Sequence, residues 1–264
     1  MIRNKNSKYP VRPKKQLGQH FLKDEVIAKK IAESFIGTHS NILEIGPGTG
    51  VLSKYLFNNT HSKIRLIEVD RESIKYLCNT YPDKKNDIIH ADFLKYDLDL
   101  LFDGSFAVIG NFPYNISSQI LFRVLDYKNK INEVIGMFQK EVAVRIASSP
   151  GNRDYGILSV LLQAFYDIEY LFEVDEHSFV PAPKVKSAVI RIIRNDVEKL
   201  DCDEKLFKTV VKTAFNQRRK TLRNALKIYH IEENDLPVLD RRAETLSVKE
   251  YVDLTRVIQK NQMP

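Results

Sequence analysis

Cysteine is nearly absent: only Cys78 and Cys202 occur among 264 residues, far apart and outside any C-x-x-C spacing. That gives no disulfide framework and no zinc site, and the six histidines show no ligand spacing either, so no metal is expected. Long apolar runs are missing too. No stretch approaches the length of a membrane span, and the opening MIRNKNSKYPVRPKKQ lacks the apolar stretch of a signal peptide. Its two prolines and lack of amphipathic period also argue against a mitochondrial transit peptide. These gaps predict a soluble protein of a reducing compartment, the cytoplasm, with no membrane partner. Acidic residues are missing from the start of the chain. Residues 1–23 hold Arg3, Lys5, Lys8, Arg12, Lys14, Lys15 and Lys23 with no acid, and the rest carries 34 residues of each sign. The net charge of +7 therefore sits in one arm. Such a cluster reads as a solvated tail or as the contact for a polyanion, because Lys and Arg gain free energy by releasing phosphate counterions.

Beyond the arm, DEVIAKKIAESFI (24–36) has helical spacing, and NILEIG, KIRLIEVD, DIIHAD, SFAVIGN and NEVIGMF are short β-branched segments with helical stretches between them. This alternation predicts an α/β fold, a mostly parallel sheet covered by helices. YDIEYLFEV and SAVIRII follow, joined by DEHSFVPAPKVK without a helix, and are expected as an antiparallel edge pair. From about residue 196 only helical patterns remain. The expected organisation is a basic arm (1–23), a Rossmann-like sheet domain (24–195) and a small all-α C-terminal domain (196–264).

ILEIGPGTGVLS (42–53) reads as a strand, a glycine turn and a helix start. Gly46 and Gly48 let the backbone approach a ligand closely. The spacing is G-x-G-x-G rather than G-x-G-x-x-G, and Pro47 removes an amide donor, so a ligand without phosphates suits the loop better than a dinucleotide. Glu68, 22 positions after Gly46, ends the second strand, where an acid accepts bonds from both ribose hydroxyls. Asp92 ends the third, within reach of an adenine amino group. Each acid alone reads first as a helix cap or a surface residue. Three suitable groups on three successive strand ends point to S-adenosylmethionine, with an NAD enzyme as the runner-up.

The fourth strand runs into GNFPYNISS (110–118). An exocyclic amino nitrogen of adenine is a poor nucleophile because its lone pair is delocalised into the ring. Acceptors on its protons favour a pyramidal nitrogen and aim the lone pair, an orientational and electrostatic effect. The Asn111 side-chain oxygen offers one acceptor and the Phe112 carbonyl another, held outward by Pro113. Tyr114 would stack on the base. The plainer alternative, an Asn-Pro turn closing a strand, leaves Tyr114 unexplained.

GQHFL (18–22), EIGPGTGVLS (44–53), IEVD (67–70), AD (91–92) and NFPYNIS (111–117) strongly resemble the RNA adenine-N6 dimethyltransferases. FVPAPKVKSAVIR (179–191) and AFNQRRKTLRNAL (214–226) resemble the branch that acts on small-subunit ribosomal RNA. The resemblance spans nearly the whole chain. It implies a class I S-adenosylmethionine-dependent methyltransferase sheet with a helical second domain, S-adenosylhomocysteine as by-product, and dimethylation of two adjacent adenines near the 3′ end of 16S rRNA. The expected partner is the small ribosomal subunit, and a monomer is expected. Carried over by motif, His20, Leu22, Gly46, Gly48, Glu68, Asp92 and Asn111 would lie on the cofactor. His20 stands where Asn is common, and Phe112 where Leu is common. Phe179 would face Tyr114 across the base, although an isolated Phe reads first as core.

NQRRKTLRNALKI (216–228) carries five cations and no acid, with Lys220, Arg223 and Lys227 on one expected helical face. With Lys14 and Lys15, the residues Arg218, Arg219, Lys220 and Arg223 are the candidates for tracking phosphates. Lys184, Lys186, Arg191 and Arg194 would add to them. Other classes share parts of the pattern: a glutamine methyltransferase, a large-subunit rRNA adenine methyltransferase of the antibiotic-resistance type, and a non-catalytic ribosome-assembly factor on the same fold.

Overall fold

The computed structural model describes residues 10–231 and 237–262. Arg3, Lys5 and Lys8 of the basic arm lie outside the described residues. The strands are β1 (Phe21–Leu22), β2 (Asn41–Ile45), β3 (Lys63–Glu68), β4 (Ile88–His90), β5 (Phe106–Asn111), β6 (Ile131–Gln139), β7 (Tyr166–Val174), β8 (Phe179–Val180) and β9 (Ser187–Arg194). The helices are α1 (Glu25–Ala32), α2 (Ser53–Leu56), α3 (Arg71–Thr80), α4 (Ser117–Asp126), α5 (Lys140–Ala147), α6 (Ile157–Gln163), α7 (Glu204–Asn216), α8 (Leu222–Ala225) and α9 (Val248–Gln262).

Seven strands form one sheet in the order β4-β3-β2-β5-β6-β9-β7. The five from β4 to β6 are parallel, and β9 joins β6 antiparallel. Central strands covered on both faces need apolar residues throughout. NILEI and FAVIGN meet that demand, with every residue after Asn41 buried in β2 and every residue before Asn111 buried in β5. The outer strand β7 is instead buried only at its two ends, with half-buried and exposed residues between them. The helices start where short acids cap them. Asp24 accepts from the amides of Val26 and Ile27, and Asp70 from that of Glu72. Such caps satisfy amides that have no intrahelical partner. A second, two-stranded pairing joins β1 to β8, with Phe21 opposite Val180 and Leu22 opposite Phe179. Two-residue strands fall below what a period-two pattern can reveal, so neither was expected.

The chain divides into two compact units, and the division is not the single cut near residue 195. One unit takes the chain as far as Ala143 and adds Glu169–Ile193; the other combines Val144–Ile168 with everything from Arg194 onward. Helix α6 thus belongs with the later helices. The reason lies in the aromatics: Tyr155 sits 6.3 Å from Phe215 between ring centroids, and Phe215 stacks on Tyr251 at 6.2 Å. Phe207, Val210, Val211 and Leu254 complete this buried layer. No helix among the described residues is long and apolar enough to cross a membrane.

Candidate active site

Strands β2 to β5 run parallel and side by side, so their C-terminal ends meet at one edge. Gly46, Gly48, Glu68, Asp92, Asn111 and Tyr114 all line a single cavity there. Gly48 has φ +56°, and a Cβ there would lie 2.7 Å from the Phe21 ring, so this turn admits only glycine. The amides of the glycine turn are consumed internally. Gly46 donates to the Ile67 carbonyl (2.9 Å), Gly48 to Glu68 Oε2 (3.1 Å) and Gly50 to the Pro47 carbonyl (2.8 Å). A pyrophosphate would need such donors, which removes the support for a dinucleotide.

Glu68 is 4% exposed and accepts two further amides, Val69 at 2.8 Å and Asp70 at 2.9 Å, both on Oε1. Burial raises its carboxyl above the ordinary range, and the amides of Asp70, Gly48 and Val69 work against that shift. Its Oε2 accepts one bond within the protein, which leaves acceptor capacity on the cavity wall. Asp92 accepts the Leu94 amide at 2.9 Å and lies 3.8 Å from the Lys95 ammonium. Deeper still is Glu44, 1% exposed, which accepts from the Ser53 hydroxyl at 2.6 Å. Burial pushes its carboxyl up to about 8.

Asn111 ends β5 and donates through Nδ2 to the His20 carbonyl at 2.8 Å, leaving Oδ1 as the acceptor of that amide. Phe112 is buried, with its ring edge-on to Phe138 at 5.2 Å. The bulk that replaces a Leu fits because Gly110 and Gly136 pair across β5 and β6. A Cβ on either would come within 2.7 Å of that ring. The Tyr114 hydroxyl bonds to Ser187 Oγ at 2.6 Å, which anchors the far end of the phenol ring. Ser187 was missed from sequence, since a lone serine at a strand start carries no signal.

Two expected site residues have side chains outside this cavity. Leu22 and Phe179, each 2% exposed, belong to the apolar core cluster. The pairing of β1 with β8 places them opposite each other; neither lines this cavity, and Leu22 lines a smaller pocket that shares Gly46 and Asn111 with it. His20 does line it, stacked on Tyr114 with ring centroids 5.4 Å apart.

The profile of the "Ribosomal RNA adenine dimethylase" family matches residues 11–260. The chain belongs to this family. Among its relatives is "Ribosomal RNA small subunit methyltransferase A" of Cytophaga hutchinsonii, 57% identical over 252 residues, covering 94% of this chain and 98% of that one. The protein of the same name in Parabacteroides distasonis is 57% identical over 255 residues, covering 95% and 96%. A solved dimethyladenosine transferase from Plasmodium falciparum superposes with TM-score 0.77 at 22% identity, covering 92% of this chain and 99% of that one. The 23S rRNA methyltransferase ErmE gives 0.62 at 25% identity, with 88% and 99% covered. This dimethylase therefore has the class I methyltransferase sheet with its antiparallel edge, and methyl transfer is its chemistry. The cavity suits a nucleoside sulfonium donor: a glycine cradle that a Cβ would fill, apolar walls from Ile67, Val69 and Phe93, and carboxylates in place of phosphate donors.

The basic segment differs from the expected continuous helix. Helix α7 ends at Asn216, α8 spans only Leu222–Ala225, and Lys227–Tyr229 is a separate 3-10 turn. Lys220 therefore shares no helical face with Arg223 and Lys227. Thr221 pairs with Arg242 as an isolated β-bridge, and this extended residue interrupts the helix. Arg219 and Lys220 are exposed in the turn; Arg218 pairs with Glu244 at 3.6 Å and Arg223 with Asp240 at 3.0 Å. Lys15 is exposed, whereas the Lys14 ammonium bonds to Asp70 and lies 3.6 Å from Glu72. Arg191 is committed to Glu169 and the Ser34 carbonyl, and Arg194 to the carbonyls of Phe165 and Val197. These two arginines hold structure rather than offering charge to a ligand.

Proposed function

We propose that this dimethylase transfers methyl groups from S-adenosylmethionine to N6 of two adjacent adenines near the 3′ end of small-subunit (16S) ribosomal RNA. The products are N6,N6-dimethyladenosine and S-adenosylhomocysteine, and the activity serves small-subunit biogenesis. The observation that carries the reading is the amide of Asn111, anchored through Nδ2 at the end of β5 so that Oδ1 can accept. The relatives named for the small subunit, alike over nearly the whole of both chains, favour that substrate over the 23S rRNA of ErmE.

When bound, the cofactor supplies an electrophilic methyl on a sulfonium. The turn at Gly46 and Gly48 accommodates it, Glu68 accepts from its ribose hydroxyls, and Asp92 accepts from its adenine amino group. Asn111 Oδ1 and the Phe112 carbonyl accept the protons of the target amino group and draw its nitrogen towards a pyramidal shape. Both interactions strengthen as transfer begins, so they lower the barrier rather than merely tighten binding. A strong base is not needed, since the N–H becomes acidic only once the methyl is being transferred. Tyr114, pinned by Ser187, stacks on the base and tolerates one methyl on it, because stacking uses the π-face alone. Lys15, Arg219 and Lys220 contact phosphate and position the RNA without reading its sequence.

The test is transfer of labelled methyl groups to unmethylated small subunits, followed by digestion and mass spectrometry of the nucleosides. N6,N6-dimethyladenosine as the end product is expected. Monomethyladenosine alone at completion, or label on protein glutamine or on large-subunit RNA, overturns the assignment.

A further inference from the structure

We infer that Ser187 is a positioning residue for the second of the two methyl transfers: by holding the far end of Tyr114 it keeps the base aligned once one amino proton has been replaced. This rests on the reading of the cavity as an adenine-N6 dimethylation site, and it gives a role there to a residue that does not touch the substrate.

Tyr114 leaves the end of β5 in a tight turn, and backbone bonds set its root. The Ile116 amide donates to the Pro113 carbonyl at 3.2 Å, and the Ser117 hydroxyl donates to the Tyr114 carbonyl at 3.2 Å. A fixed root still leaves the side chain free to pivot about χ1. The 2.6 Å bond between the phenol oxygen and Ser187 Oγ removes that freedom. Ser187 opens β9 and is fully buried, so its own position is set by the sheet. It lies opposite Gln139 on β6, and beside it the Lys140 amide donates to the Lys186 carbonyl at 2.9 Å. Asn111 lies opposite Met137 on the other side of the same strand. One strand, β6, therefore registers both the acceptor for the amino group and the anchor of the ring, at positions two residues apart.

Each transfer forms a C–N bond from the nitrogen lone pair, breaks the S–C bond with its electron pair left on sulfur, and releases one amino proton to water. In the first transfer the amino group offers two protons, one to Asn111 Oδ1 and one to the Phe112 carbonyl. Those two bonds orient the nitrogen between them. In the second transfer one proton remains, so one of the two bonds is gone. The direction of the lone pair then depends more on the plane of the base, which stacking on Tyr114 sets. A ring free to pivot lets that plane tilt, and a misplacement of about 1 Å costs up to about 10²-fold in rate. The anchor matters most where the fewest other contacts remain.

Ser187→Ala and Tyr114→Phe delete the same bond from opposite ends, and both keep the aromatic ring. With enzyme in excess over unmethylated small subunits and S-adenosylmethionine saturating, mass spectrometry of the nucleosides over time gives a rate constant for each transfer. S187A should lower the second about tenfold and the first less than threefold, so monomethyladenosine builds up before it is converted. Y114F should show the same split. The double variant should be no slower than either single one, because both remove one interaction. A general loss of structure would instead slow both transfers alike. Equal slowing of the two transfers, a wild-type ratio in S187A, or a further loss when Ser187→Ala is added to Y114F overturns the inference. If urea titration shows that S187A does not fold, Y114F carries the test, since it leaves the sheet residue in place; a wild-type ratio there is equally fatal. Wild-type enzyme that forms no dimethyladenosine on small subunits rejects the RNA assignment and the inference together. Wild-type product with an unchanged ratio in the variants rejects the Ser187 role alone.

Discussion

The cavity edge of the sheet and the basic segment at 216–228 both rely on polar side chains where an element ends, yet they are held in opposite ways. At the sheet edge, Glu68 and Asn111 bond to the backbone of another segment, and Asp92 to the turn that follows it. In the basic segment, Arg218 and Arg223 meet carboxylates on their own unit, while Arg219 and Lys220 stand exposed in a turn. The first arrangement fixes directions and suits chemistry. The second fixes only a local concentration of charge, which suits a partner whose phosphates need no single orientation.

If this contrast is right, the largest effect of any single change belongs to the sheet edge. Asn111→Ala should lower single-turnover methyl transfer by about 10²-fold or more, by analogy with the loss of one preorganised donor at a developing charge. Because the loss belongs to the transition state, it should persist at saturating cofactor and saturating RNA substrate. A rate within a few-fold of wild type at saturating substrate would remove Asn111 from the chemistry and dissolve the contrast.

Glu68 comes next, and its bonding decides which variant is informative. Glu68→Ala would strand the amides of Gly48, Val69 and Asp70 and so mix folding with binding. Glu68→Gln keeps an acceptor for some of them and removes the charge. Cofactor affinity should then weaken by about 1.5–3 kcal/mol, the range for charge-assisted bonds. Unchanged affinity in calorimetry, with the fold intact by circular dichroism, would take Glu68 out of the site.

Much of the sheet edge was legible because parallel strands impose it. Once NILEI, KIRLIE and FAVIGN are buried runs, the residues that end them must share one edge, so Glu68 and Asn111 follow from position alone. Their partners were not legible. Nothing in a single sequence marks Ser187 as the anchor of Tyr114, or pairs His20 with Pro181 across 161 positions. Phe179 shows the converse failure: motif position proposed a cavity wall, but the short β1–β8 pairing turns the ring into the core. The basic segment misled for a different reason. Its periodicity predicted a helix over 216–228, and the Thr221–Arg242 bridge overrides that local preference.

The buried acid beneath the glycine turn tests how far the sheet edge depends on its own packing. Glu44 has a carboxyl pushed up to about 8, chiefly by burial. Its unfolded value lies near 4.3, so between these limits the folded state binds more protons than the unfolded one. Stability must therefore fall as pH rises from about 4.3 to about 8, and level off above it. Glu44→Gln keeps an acceptor for the Ser53 hydroxyl and removes the titration. Unfolding free energies from denaturant titrations at pH 5 and pH 8.5 should differ by on the order of a few kcal/mol more in wild type than in E44Q. Equal slopes in the two proteins would mean that Glu44 is charged in the fold.

The smallest effect should come from the basic segment, and it should appear in salt dependence rather than in rate. Arg219 and Lys220 are the appropriate pair, because Arg223 is engaged with Asp240 and its loss would disturb the helical unit as well as any RNA contact. Exposed cations that touch phosphate release counterions on binding. Each contact removed should make the plot of log affinity against log salt shallower by about 0.7–0.9. The double variant Arg219→Ala/Lys220→Ala should therefore bind small subunits more weakly at low salt and approach wild type as salt rises. Cofactor affinity and single-turnover rate at saturating particle should be unchanged, since neither side chain has a fixed direction to contribute to the reaction. A salt slope equal to wild type would show that both cations are only solvated. A fall in the saturated rate with an unchanged slope would break the contrast from the other side, by giving this turn the orienting role assigned here to the sheet edge alone.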